Sequence, residues 1–251
     1  MFNSGKVLTL LCVSSLALAC AFVFTQSAGA GTFGVSPLRL EMSGAVRTGL
    51  ITVTNNGDDM MRFQVEASAW TQDKQGRDTY SRTTDLHYYP RILEIKPGQA
   101  GVKIPAVKKE KTYRIFIREL PKKDDPSGAA KVTVYMRFGV PVFVKPPNIV
   151  NSGELSDISL EGGDLSMRVK NSGNVHFKIG TIGIRGLSAD GAPVFSNTIN
   201  GWYILEGASR IYNTTVQPEL CAGTSTLNIL VDTDQDDFSG SLKVDESKCR
   251  E

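Results

Sequence analysis

Val132-Thr133-Val134-Tyr135-Met136-Arg137-Phe138-Gly139-Val140-Pro141-Val142-Phe143-Val144 is too apolar on one face for an exposed strand. Val132, Val134, Met136 and Phe138 recur at period two, which sets four large apolar side chains on one side of an extended strand at intervals of roughly 7 Å. Such a face has to be covered, by the core of the chain's own sandwich or by another protein. Periodicity alone favours the chain's own core. A long apolar edge is an aggregation hazard that chains normally blunt, so an edge kept on purpose points to strand addition to a partner.

Working outward, the rest of the chain reads as strands and turns. Residues 49–54 alternate and end in Asn55-Asn56-Gly57-Asp58, 63–70 alternate and end in Asp73-Lys74-Gln75-Gly76, and 92–95 stop at Lys96-Pro97-Gly98. A further run covers 113–120, and no convincing helical period appears. Lys145-Pro146-Pro147-Asn148 then breaks the pattern, and its paired prolines form a stiff connector. The domain boundary is placed there, with one domain over 31–145 and the other over 146–251. The second half carries strand runs at 157–160, 165–170, 175–184, 202–204, 211–216 and 227–231, separated by Gly-, Asn- and Asp-rich turns. About seven short strands per hundred residues predict an all-β chain of two tandem immunoglobulin-like β-sandwich domains.

The first thirty residues set the compartment. Lys6, the apolar run from Val7 to Phe24 and the small residues Ala28-Gly29-Ala30 read as a secretory signal peptide over 1–30. A retained anchor and lipidation at Cys20 are the alternatives, although Ala17 stands where a lipidated cysteine usually has a large aliphatic residue. Cleavage after Ala30 would leave Cys221 and Cys249, an even pair that suggests one disulfide in an exported chain, with two buried thiols as the alternative.

Other function classes find little support. His87 and His176 lie far apart, there is no CxxC, and Asp234, Asp236 and Asp237 lack the glycine and terminal glutamate of a calcium loop, so neither a metal nor another cofactor is expected. A formal net charge of +2 and basic runs interrupted by acids argue against nucleic acid as a partner. No nucleophile elbow or phosphate-binding glycine loop suggests an enzyme. The main competing class is a structural or adhesive cell-surface β-sandwich protein.

Five blocks carry a family resemblance: Val35-Ser36-Pro37-Leu38-Arg39-Leu40, Thr54-Asn55-Asn56-Gly57, Gln64 to Trp70, Pro90 to Gln99, and Tyr113-Arg114-Ile115-Phe116-Ile117-Arg118-Glu119-Leu120-Pro121. In order and spacing the chain resembles PapD-like periplasmic pilus chaperones, and Met136 to Val144 looks most like the branch serving archaic-type pili. The second domain matches more loosely, through Asn171-Ser172-Gly173-Asn174-Val175-His176. The resemblance implies two domains joined at an angle around a cleft, a periplasmic location, and no membrane embedding after signal cleavage. It also implies pilus subunits as partners, with delivery to an outer-membrane usher. Such chaperones lend a subunit the last strand of their first domain, which moves Val132, Val134, Met136 and Phe138 from self-packing to subunit contact. Each buried side chain of that kind contributes roughly 1.5–3 kcal/mol in transfer terms.

The resemblance further implies an anchor for the subunit's terminal carboxylate. Arg39 stands at the family's arginine, though by its surroundings alone it reads as a surface residue beside Glu41. The family's lysine falls on Pro141, which has neither charge nor amide proton. Arg137, four residues earlier on the same face, and Arg118 are the candidate replacements. Glu110 and Lys145 match positions of an interdomain salt bridge, with Asp232 or Asp234 as the partner from the second domain.

Overall fold

Alternation of apolar and polar residues, cut by turn chemistry, builds two sandwiches in succession. The computed structural model describes residues 33–44, 46, 48–98, 100–105, 111–121 and 134–249. The expected signal peptide over 1–30, Glu110 and Val132 lie outside them.

The first sandwich contains β1 (Phe33–Ser36), β2 (Leu40–Met42), β3 (Thr48–Asn55), β4 (Met61–Gln72), β5 (Asp78–Arg82), β6 (Ile92–Ile95), β7 (Ala100–Pro105), β8 (Thr112–Glu119) and β9 (Arg137–Val144). One sheet has the order β1-β3-β7, and the other β2-β9-β8-β4-β5 with β6 also pairing β4. The chain therefore changes sheets between β1 and β2, where the Ser36–Pro37 peptide is cis. Inward residues of both sheets, among them Ile51, Val53, Phe63, Val65, Ile115, Ile117, Val140 and Val142, form one buried core.

The second sandwich contains β10 (Gly153–Glu161), β11 (Asp164–Asn171), β12 (Phe177–Leu187), β13 (Pro193–Asn200), β14 (Tyr203–Ile204), β15 (Ser209–Thr215), β16 (Thr226–Thr233) and β17 (Phe238–Lys243). Its sheets run β10-β11-β15 and β13-β12-β16-β17, with β14 pairing β12. A short helix, α1 (Pro218–Ala222), and a 3-10 turn at Glu246–Cys249 are joined by the Cys221–Cys249 disulfide. Both cysteines pack into the core with Leu165, Met167, Ile179 and Ile182.

The same local device closes a turn in each sandwich. Buried Asn55 donates to the carbonyls of Asp59 and Ile95 and accepts from the Gly57 amide. Buried Asn171 likewise donates to Val175 and Ile204 and accepts from Gly173. Gly173 is required there, since a Cβ would lie 2.3 Å from the Val150 carbonyl oxygen.

Six strands have no run of their own in the sequence reading: β1, β2, β5, β7, β13 and β17. β13 is exposed along most of its length, and the inward side of β17 carries only Phe238 and Leu242 with Gly240 between them, so their apolar signal is weak. The expected strand over 132–144 is also shorter, with β9 beginning at Arg137 and Val134 to Met136 outside regular strand.

Candidate functional site

β9 is flanked by β8 along its whole length, but β2 covers its other edge only from Val142 to Val144. Among the described residues, no strand pairs the outer edge of Arg137 to Pro141. The register fixes which backbone groups face that edge. The Glu119 amide donates to the Met136 carbonyl and the Val144 amide to the Lys111 carbonyl, so even-numbered residues of β9 bond to β8. Arg137, Gly139 and Pro141 therefore turn their backbone groups outward, while the Lys145 amide, on the same side, reaches the Met42 carbonyl. Pro141 sits where its missing amide costs no ladder bond to β8.

The even-numbered side chains form one continuous apolar face. Val144, Val142 and Val140 are buried in the first core, Phe138 and Met136 are half-buried against it, and Val134 is 64% exposed. Phe138 meets Phe33 edge-on at 5.4 Å between ring centroids. The face thus runs out of the domain's own core into solvent, with Met136 and Phe138 at the transition.

The opposite face of this sheet meets the second sandwich. Trp70 and Phe143 pack with Leu205 and Tyr203 of the second sandwich, and His176 stacks on Phe143 with ring centroids 3.3 Å apart. Gln72 donates to the Tyr203 carbonyl at 2.8 Å and accepts from the Leu205 amide at 3.0 Å, while Trp202 Nε1 donates to Asp78 at 3.1 Å. Gly76, at φ +75°, lets the β4–β5 turn approach Ser209 and Arg210 so closely that a Cβ would lie 2.7 Å from the Ser209 carbonyl oxygen.

Charges gather beside this contact. Arg39 bonds Asp234 at 2.8 Å and Glu41 at 3.2 Å, and Lys145 bonds Glu41 at 2.7 Å. Asp234 also accepts from the Lys178 amide at 2.7 Å. Lys145 thus meets Glu41 rather than Asp232 or Asp234, Asp234 meets Arg39, and Asp232 lies beside Gly180. Burial works against the charge on Arg39, but Asp234 and Glu41 outweigh it and raise the guanidinium's pKa. Burial likewise opposes ionisation of Glu41, yet the Lys145 hydrogen bond and the charges of Lys145 and Arg39 hold it below the usual carboxylate range. His176 is pushed down to about 4, chiefly by burial.

Of the other arginines, Arg118 donates to Gln64 and Arg137 lies 3.7 Å from the Phe116 ring centroid. Sequence reading passed over Arg114. It sits opposite Pro141 in the β8–β9 register, with its guanidinium 4.1 Å from the Trp70 centroid. A charged residue on the face of β8 turned away from the core was the available signal. What surrounds it depends on the second domain, which no local pattern reveals.

Residues 32–150 match the family model of the pili and flagellar-assembly chaperone, PapD N-terminal domain. None of the curated proteins matches the chain in sequence. Among solved structures, it is similar to the CsuC–CsuE chaperone–tip adhesion subunit pre-assembly complex from archaic chaperone-usher Csu pili of Acinetobacter baumannii, at 16% identity and a TM-score of 0.59, covering 84% of this chain and 97% of that one. The Salmonella enterica SafA pilin in complex with the SafB chaperone aligns at 11% identity and a TM-score of 0.58, covering 86% and 99%. The class 5 fimbriae chaperone CfaA aligns at 13% identity and 0.56, covering 85% and 100%. At these identities the structural likeness establishes a shared fold.

Proposed function

Because residues 32–150 match the model of the pili and flagellar-assembly chaperone, PapD N-terminal domain, we propose that the chain is a periplasmic chaperone that completes pilus subunits by donating β9 as a strand and passes them to an outer-membrane usher. The observation that carries this reading is the open edge of Arg137 to Pro141, joined to an apolar face that leaves the domain's own core at Phe138 and Met136 and continues to exposed Val134. An added strand would satisfy the outward backbone groups of Arg137 and Gly139, and a groove in the subunit would cover Val134, Met136 and part of Phe138. Val132, outside the described residues, continues the period.

Residues 31–145 would form the donating domain and 146–251 the supporting one. The junction of Trp70, Phe143, Tyr203 and His176, with Lys145, Glu41, Arg39 and Asp234 beside it, would hold the two at a fixed angle. In this reading Arg39 is chiefly an interdomain residue. Co-export of the chain with a pilus subunit encoded beside it is expected to give a one-to-one complex and to protect a subunit that is degraded alone. Recovery of the chain always unbound, with the subunit's fate unchanged by its presence, would remove the reading.

A further inference from the structure

We propose that the turn from Asn171 to His176 is an acid-released latch between the two sandwiches: uptake of a proton by His176 frees its ring from Phe143 and lets the second sandwich swing on the link at Pro146-Pro147 while both stay folded. The latch rests on the geometry of the junction and not on the chaperone reading above. The Lys145 amide still bonds to the Met42 carbonyl of the first sandwich, and the Asn148 carbonyl is already bonded to the second, so only Pro146 and Pro147 lie between. So short and stiff a link confines any motion to a swing and leaves the angle to be fixed by the non-covalent junction.

The turn grips the far end of that link. Asn174 Nδ2 donates to the Asn148 carbonyl and Asn174 Oδ1 accepts from the Val150 amide, each at 2.8 Å, while the Ser172 and Gly173 amides both reach the Ser152 carbonyl. Asn171, which closes the same turn, is fully buried. From this rigid base His176 is laid on Phe143 with the two rings 11° from parallel. Phe143 belongs to β9, two residues beyond Pro141, so the latch bears on the strand that carries the open edge.

The charges facing the imidazole offset one another. Arg39 lies just before β2 and Glu41 within it, Lys145 just past β9, and Asp234 just past β16, with the Tyr203 ring of β14 5.9 Å away. Both carboxylates are engaged, Glu41 by Arg39 and Lys145 and Asp234 by Arg39 and the Lys178 amide. An imidazolium formed here gains no free counter-ion, and burial decides against it. The ring accordingly titrates at about 4 instead of 6.5. Swung out into water it regains its ordinary proton affinity, so the closed form is fully favoured above about pH 6.5 and loses ground as pH falls toward 4. In that window the closed-to-open ratio falls by up to about tenfold per pH unit.

Spin labels on Thr48→Cys in β3 and Lys243→Cys in β17, both exposed positions, report the distance between the sandwiches by double electron–electron resonance with the native disulfide left closed. The labelled chain is expected to show one distance near pH 7 and a second population near pH 4.5 that grows as pH falls, at unchanged far-UV circular dichroism. His176→Phe keeps a stacked ring without a titrating group and should hold the neutral-pH distance throughout. His176→Gln, with neither ring nor charge, should give the same distribution at both pH values. Three results would overturn the latch: no second population in the labelled chain, a second population that persists in His176→Phe and so makes Glu41 or Asp234 the trigger, or one that appears only together with loss of the far-UV signal.

Discussion

Asp234 accepts from Arg39 across the junction and from the Lys178 amide on its own side. The Arg39 and Asp234 side chains remain 40% and 28% exposed, so the pair contributes under about 1 kcal/mol and orients the domains more than it stabilises them. His176 has the larger effect on stability. It is buried with Asp234, Arg39, Glu41 and Lys145 around it, and its pKa falls from 6.5 to about 4. Between those values the unfolded chain takes up a proton that the folded chain refuses, so stability is complete above about pH 6.5 and is lost as pH falls toward 4. The full loss corresponds to about 3 kcal/mol. Urea midpoints should therefore decline from pH 7 to pH 4.5, and His176→Gln should flatten that slope; an unchanged slope would show that His176 is not the titrating group. Sequence reading named Arg39, Lys145 and Asp234 as charges of the junction but paired Lys145 with an aspartate, because partner choice depends on the angle between domains. Arg114 escaped for the same reason, since its aromatic enclosure draws on Trp202 of the other sandwich.

At the scale of the element, the proposed strand donation would divide the apolar face running through β9 between two duties, and substitutions should separate them. Val134→Glu changes an exposed side chain and is expected to leave thermal stability unaltered while cutting subunit capture at least tenfold, since an unpaired charge forced into an apolar groove costs several kcal/mol. Phe138→Ala, at the half-buried transition, should do both, lowering stability by less than the roughly 3–5 kcal/mol of a fully buried Phe→Ala change. A co-purification assay beside thermal melts checks the pair; loss of stability in Val134→Glu would mean that the residue belongs to the domain's own fold. Alternation made this face legible in sequence from Val132 to Val144, together with most strands of both sandwiches. It did not reveal where the ladder begins. That depends on how far β8 and β2 reach along β9, and pairing partners distant in sequence leave no trace in a local period.

Across the whole molecule, two sandwiches share an aromatic junction, and the second is tied at its end by Cys221–Cys249 over a separation of 28 residues. In the chain-entropy model a closed loop of that size stabilises by about 3.5 kcal/mol. Reduction, or the double change to serine, should lower the urea midpoint of the second domain correspondingly. The even cysteine count made the pair legible, whereas the junction was visible only as scattered aromatic residues in strands that sequence reading assigned to separate cores. Donation of β9 to a subunit is tested most directly by amide hydrogen exchange of the free chain and of its subunit complex. The amides of Phe138 and Val140 face β8 and should exchange slowly in both states, while those of Arg137 and Gly139 face the open edge and should become protected only in the complex. Rapid exchange of Arg137 and Gly139 in a stoichiometric complex would show that the subunit is held elsewhere and would contradict strand donation.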